Sequence, residues 1–137
     1  MNVPRYRLIP HTADMGLFAY GKTLDEAFAN TAYGMFSIMT DLRKVREVES
    51  HRISITEKDK ESLLFEWLNR LLYIFDVEHL LFKRFEVKLT GTSLRAACYG
   101  EKFDPARHKM TIGVKSATYY MLEVDEQKKR VRVVFDI

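Results

Sequence analysis

LLFKRFEVKLTGTSLRAACYG, residues 80–100, carries two runs with a period near two on either side of a short polar turn. Leu81, Phe85, Val87 and Leu89 share one face of the first run. The turn TGTS then leads into LRAACYG, which predicts a β-hairpin. Downstream, EKFDPARH reads as a loop and MTIGVKSATYYMLEV as one long strand or two short ones. DEQKK turns the chain into a last strand, RVRVVFDI. There Val131, Val133, Phe135 and Ile137 share one face, and Arg130, Arg132, Val134 and Asp136 share the other.

Upstream the period lengthens. In DKESLLFEWLNRLLYIFD, Leu64, Phe65, Trp67, Leu68, Leu71, Leu72 and Phe75 span more than one stripe, so the spacing predicts a largely buried helix starting near Asp59. Before it, residues 45–55 alternate loosely as a strand. Leu24, Ala27, Phe28, Thr31, Ala32, Met35, Phe36 and Met39 line one face of an earlier helix of about 16 residues. Thr23 as N-cap and Glu26 three residues later form a capping box for it. Gly34 weakens that helix but allows close packing on a sheet. Residues 6–8 and 15–20 read as two short strands. The order is strand, strand, helix, strand, helix and then a run of strands. It predicts an α+β fold of two layers, two helices packed on one face of a mainly antiparallel or mixed sheet, as a single domain over residues 1–137.

Composition sets the class. The chain has 137 residues, 47% hydrophobic and 30% charged, too apolar for disorder and large enough for one core. No run approaches the ~20 apolar residues of a membrane span, and MNVPRYRL lacks the apolar region of a signal peptide. One cysteine, Cys98 in an apolar run, excludes an internal disulfide and reads as a buried inert thiol. A cytoplasmic protein without a membrane partner is expected. The formal net charge of +3 permits attraction to RNA or to an acidic protein. QKKRVRV near the end is denser in charge and reads either as a solvated hairpin tip or as a phosphate contact.

The chain has no glycine-rich phosphate loop, no paired CxxC and no HExxH helix. Carboxylate placement is what remains. RLIPHTADMG, residues 7–16, sets His11, Thr12 and Asp14 between two strand-like pieces. It reads either as a turn punctuated by Pro10 and Gly16 or as a site. Asp136 and the α-carboxylate of Ile137 lie at the other end. If the last strand runs beside the first turn, these oxygens form an anionic cluster of the kind that hard cations favour. His11 adds a proton carrier or a softer ligand.

HTADMG and GKTLDEAFANTAYGMF resemble the N-terminal pattern of the archease family. LLFEWLNRLLYIFD, FEVKLTG, ACYGEKFDPARH, VKSATYYMLEV and the closing VFDI resemble the rest of it, in order. The resemblance implies a small, non-catalytic, metal-binding protein that assists the GTP-dependent RNA-splicing ligase in transfer-RNA splicing and RNA repair. It implies that the protein promotes guanylylation of the ligase and multiple turnover. RNA would be reached through the ligase, helped by a weakly basic surface. Carried over, the metal ligands are Asp14, Asp136 and Ile137, holding calcium, magnesium or manganese. His11, Lys115 and Tyr120 are neighbours of that site, Lys115 matching the family's lysine. Tyr120 departs from the pattern, since the family usually reads TYH where this chain reads TYY. Two other functions stay open: a chaperone-like or RNA-binding modulator of transfer-RNA-modifying enzymes, and a small metal-dependent RNA-processing hydrolase.

Overall fold

A computed structural model of the chain describes residues 4–10 and 14–137. The hairpin of residues 80–100 pairs β4 (Leu80–Thr90) with β5 (Ser93–Lys102), and Gly91 takes the turn at φ +60, an angle free of cost to glycine. β3 (Glu49–Thr56) pairs antiparallel with the other edge of β5, which completes a three-stranded sheet. The predicted alternation fails at the start of β4, where Leu80, Leu81 and Phe82 are all buried. A register shift between Phe82 and Arg84 re-aims the side chains there. The bulge is crowded: a Cβ on Gly100, opposite Phe82, would collide with the Leu81 carbonyl.

The second sheet joins the two ends of the chain. β1 (Tyr6–Pro10), β2 (Asp14–Tyr20), β7 (Arg130–Asp136) and β6 (Ser116–Asp125) lie side by side in the order β1-β2-β7-β6, all antiparallel. Met15, Leu17, Ala19, Val131, Val133 and Phe135 are buried on one face of it, as the alternation requires.

Helix α1 (Leu24–Met39) starts as predicted, with the Thr23 side chain accepting from the Glu26 N–H at 3.1 Å. The Glu26 carboxylate reaches the Lys22 N–H at 3.4 Å, one residue short of the ideal capping box. Helix α2 (Lys60–Glu78) is capped by Asp59, which accepts from the Ser62 N–H at 2.7 Å, and ends at His79 in the left-handed region, φ 59. The layer expected as one sheet is divided in two because α1 serves both halves. On one side, a Cβ on Gly34 would touch Leu17 Cδ1 at 2.6 Å and Tyr6 Cγ at 3.0 Å, so the missing side chain lets the helix sit on β1 and β2. On the other, Phe36 stacks on Phe85 at 5.9 Å and meets Phe82 edge-on at 6.1 Å. α2 packs mainly on β6, and the Trp67 indole N–H donates to the Phe28 carbonyl at 3.1 Å, tying the helices together.

Residues 45–48, expected as part of β3, lie outside it. Their backbone is used elsewhere: the Arg46 N–H donates to Glu101 at 2.7 Å and the Val48 N–H to the Gly100 carbonyl at 2.9 Å. Glu101 is 6% exposed and accepts four donors. Besides Arg46 N–H they are two guanidinium nitrogens of Arg107, at 3.0 and 2.6 Å, and His108 Nε2 at 3.0 Å. His108 Nδ1 accepts from the Asp104 N–H at 2.9 Å, so the ring proton sits on Nε2 and points at Glu101. The Arg107 hydrogen bonds, together with the Arg46 N–H, hold the Glu101 carboxyl down at about 2 against the opposing push of burial. Within EKFDPARH, whose first two residues close β5, Glu101 and His108 are thus the buried centre of a polar knot that ties the loop after β5 to the segment after α1. Cys98 is fully buried and its thiol is pushed up to about 12 by desolvation, which makes it inert at neutral pH.

Candidate metal-binding face

The buried rungs of the four-stranded sheet determine what its other face presents. Asp14 precedes buried Met15 and Asp136 follows buried Phe135, so both carboxylates project from the outer face. The register makes them direct partners: Asp14 faces Asp136 across the β2–β7 ladder, and Ser116 faces Asp136 across β6–β7. Directly opposed residues have Cβ atoms about 4.5–5.5 Å apart, close enough for two carboxylates to share one cation and close enough to repel each other without one. The Ser116 hydroxyl donates to Asp136 Oδ2 at 3.3 Å, and the Lys115 backbone N–H donates to the Asp136 carbonyl at 2.8 Å. Asp136 is therefore held from the β6 side through both its side chain and its main chain.

This donor set is all oxygen, which suits calcium, magnesium or manganese better than a soft metal. It is also small. Among the described residues no group of three or more His, Cys, Asp or Glu side chains gathers that could hold a metal ion. A calcium ion takes about six to eight oxygens, so the two aspartates with the Ile137 α-carboxylate would supply only part of a shell.

Ile137 itself is half-buried with its side chain against the core, on the same side as Val131, Val133 and Phe135. Lys115 is exposed and joined to Asp136 through the backbone. His11 lies outside the described residues. Tyr120 is 65% exposed and stands on an irregular stretch of β6. There the register jumps from Thr118↔Val134 to Glu123↔Arg132, so residues 119–122 loop away from β7, with Met121 at φ 55. Arg132 Nε donates to the Met121 carbonyl at 2.8 Å and braces this bulge. Tyr119 stacks on Phe65 of α2 with ring centres 4.1 Å apart. The bulge and the sheet enclose a cleft of about 260 Å³ lined by Ile9, Gly16, Val134, Tyr120 and Met121, with Asp14 and Arg132 also on its wall. Alternation alone could not reveal it. The one local signal is that TYYMLEV lacks the polar–apolar rhythm of its partner RVRVVFD.

The archease protein family model matches residues 6–137. The chain belongs to the archease family. Among relatives in the family, an archease of Sulfurisphaera tokodaii is 38% identical over 125 residues, 90% of each chain. An archease of Methanothermobacter thermautotrophicus is 39% identical over 132 residues, covering 92% of this chain and 94% of the relative. The fold agrees as well. The solution structure of Methanobacterium thermoautotrophicum protein 1598 superposes with a TM-score of 0.82 at 35% identity, over 97% of this chain and 99% of that one. Among the described residues no helix is long and apolar enough to cross a membrane.

Proposed function

We propose that this archease-family protein is a non-catalytic activator of the GTP-dependent RNA-splicing ligase, acting in the cytoplasm in transfer-RNA splicing and RNA repair. The observation that carries the reading is the Asp14–Asp136 rung, two carboxylates facing each other across the β2–β7 ladder with Ile137 next in the chain. A partial coordination shell suits a cation shared with a partner, because magnesium-like ions are commonly held by one or two carboxylates plus the phosphates of a nucleotide. A divalent cation bound there would neutralise charge on a transferring phosphoryl group. The chain's own part is to hold Asp14 and Asp136 at fixed spacing through the β2–β7 ladder. Ser116 orients Asp136, and the cleft beside Asp14 is open to an apolar group of the partner. Such fixed positioning is how proteins stabilise phosphoryl transfer, and promotion of ligase guanylylation is the step it would serve.

The test is ligase guanylylation and multiple-turnover RNA joining with wild type, Asp14→Asn and Asp136→Asn. Both variants should lose most of the stimulation while keeping the circular dichroism spectrum of the wild type, which separates a lost ligand from a lost fold. Full stimulation by either variant would refute the assigned role. RNA cleavage by the purified protein alone would favour the hydrolase reading instead.

A further inference from the structure

Further along the same outer face, three arginines crowd one aromatic ring. The guanidinium carbons of Arg7, Arg130 and Arg132 lie 5.2, 5.5 and 5.8 Å from the centre of Phe18. The register explains the gathering: Phe18 faces Arg7 on β1 and Arg132 on β7, and Tyr20 faces Arg130. Nearby, Glu123 meets Arg130 at 3.4 Å and Arg132 at 3.7 Å, both long for a charged hydrogen bond. Arg130 Nε is buried without a hydrogen-bond partner. Each guanidinium carries five N–H donors, so donors far exceed the acceptors that Glu123 and the Met121 carbonyl provide. The ring attracts the guanidinium groups through its π face, while Lys128 and Lys129 in the β6–β7 turn are offset by Asp125 and Glu126 at its start, so the excess charge rests on the arginines.

From this arrangement we infer that the Phe18 arginine cluster binds the phosphodiester backbone of single-stranded nucleic acid, RNA if the ligase reading above holds. Several cations gathered at one point call for a ligand with closely repeated negative charge, and the planar fork matches phosphate oxygens two at a time. Phe18 is four residues along β2 from Asp14, about 13 Å at the rise of a strand. That is about four nucleotides of a stacked strand at 3.4 Å each. A strand lying on the arginines would therefore reach the aspartate rung within a few nucleotides, along one continuous face.

The inference is tested with the protein alone, without ligase and in EDTA, so that its outcome is separate from the activator reading. Binding of fluorescein-labelled decamers of uridine RNA and thymidine DNA is followed by anisotropy at 50 and 200 mM KCl. The wild type should bind both saturably and to a similar degree. Arg7→Gln with Arg132→Gln should weaken binding about tenfold at low salt and flatten the salt slope by about 1.4, or 0.7 per lost phosphate contact. Lys88→Gln with Arg95→Gln, an equal charge change on the other sheet, should change it less than twofold. Arg7→Glu, an exposed edge-strand change, supplies the same comparison if the double variant folds poorly, with a loss again expected. Four results would overturn the inference: no saturable binding, equal losses at the two sites, a preference for RNA above tenfold, or displacement by an equal concentration of a polyglutamate decamer. The third would place the contact on the 2′-hydroxyl and the last would make the cluster a docking patch for an acidic protein.

Discussion

Replacing Glu101 by glutamine should destabilise the protein at neutral pH and matter far less in acid. The carboxylate accepts from Arg46 N–H, two Arg107 nitrogens and His108 Nε2, and these donors hold its folded pKa at about 2 against an ordinary value of 4.5. Each unit of difference is worth about 1.4 kcal/mol, which gives roughly 3 kcal/mol as the ceiling. Arg107 is 31% exposed, so solvent screens part of the attraction and about 2 kcal/mol is the expected loss. Because the folded pKa lies below the unfolded one, this stability is complete above about pH 4.5 and disappears as the pH falls towards 2. A protonated carboxyl and an amide each bring one donor group into the knot, so wild type and variant converge in acid. Urea unfolding of both proteins from pH 7 to pH 3 measures it, and more than half of the difference should be gone by pH 3. Asp41, held at about 2 by Arg43, and Asp59, lowered by the Ser62 N–H, titrate in both proteins, so the difference between them is the readout. A gap that stayed constant across that range would refute the electrostatic account and assign the loss to packing.

Gly100→Ala should cost about 3 kcal/mol or prevent folding, because the new methyl meets the Leu81 backbone at the β4 bulge; a urea midpoint close to wild type would show that the bulge can shift. Cys98 should react with a thiol reagent only as fast as the protein unfolds, with the reaction speeding up in denaturant; rapid labelling under native conditions would contradict its burial. Extending the chain past Ile137 turns its α-carboxylate into a neutral amide, so a C-terminal tag should weaken calcium or magnesium binding while leaving the melting temperature within a degree or two, whereas an N-terminal tag should change neither the binding nor the melting temperature. Equal metal affinity of the two tagged forms, measured by calorimetry, would remove Ile137 from the ligand set.

What could be read from the sequence follows the range of the forces involved. Both helices were legible because their signals are local: Thr23 and Asp59 cap them, and the apolar stripes recur within a few turns. The division of the sheet was not, because it depends on α1 resting on β2 with one flank and on β4 with another, a contact between distant segments. EKFDPARH was legible as a pattern but not as physics, since its glutamate meets donors from residues 46, 107 and 108 only after the loop has closed.

The aspartate rung falls between these cases. Alternation puts Asp136 outside as soon as Val131, Val133 and Phe135 are assigned to the core, and Met15, Leu17 and Ala19 do the same for Asp14. What no local signal carries is that β7 pairs with β2 and in which register. A slip by one residue would turn Val133 and Leu17 towards water, so the burial of these two strands selects the register in which the aspartates meet. The hydrophobic core thereby sets the spacing of two aspartates that point away from it. The same rungs, two steps further along, bring Arg132 opposite Phe18. The acidic rung and the basic cluster are therefore held on one face by one set of buried residues. A substitution that shifted the β2–β7 register would disturb both at once.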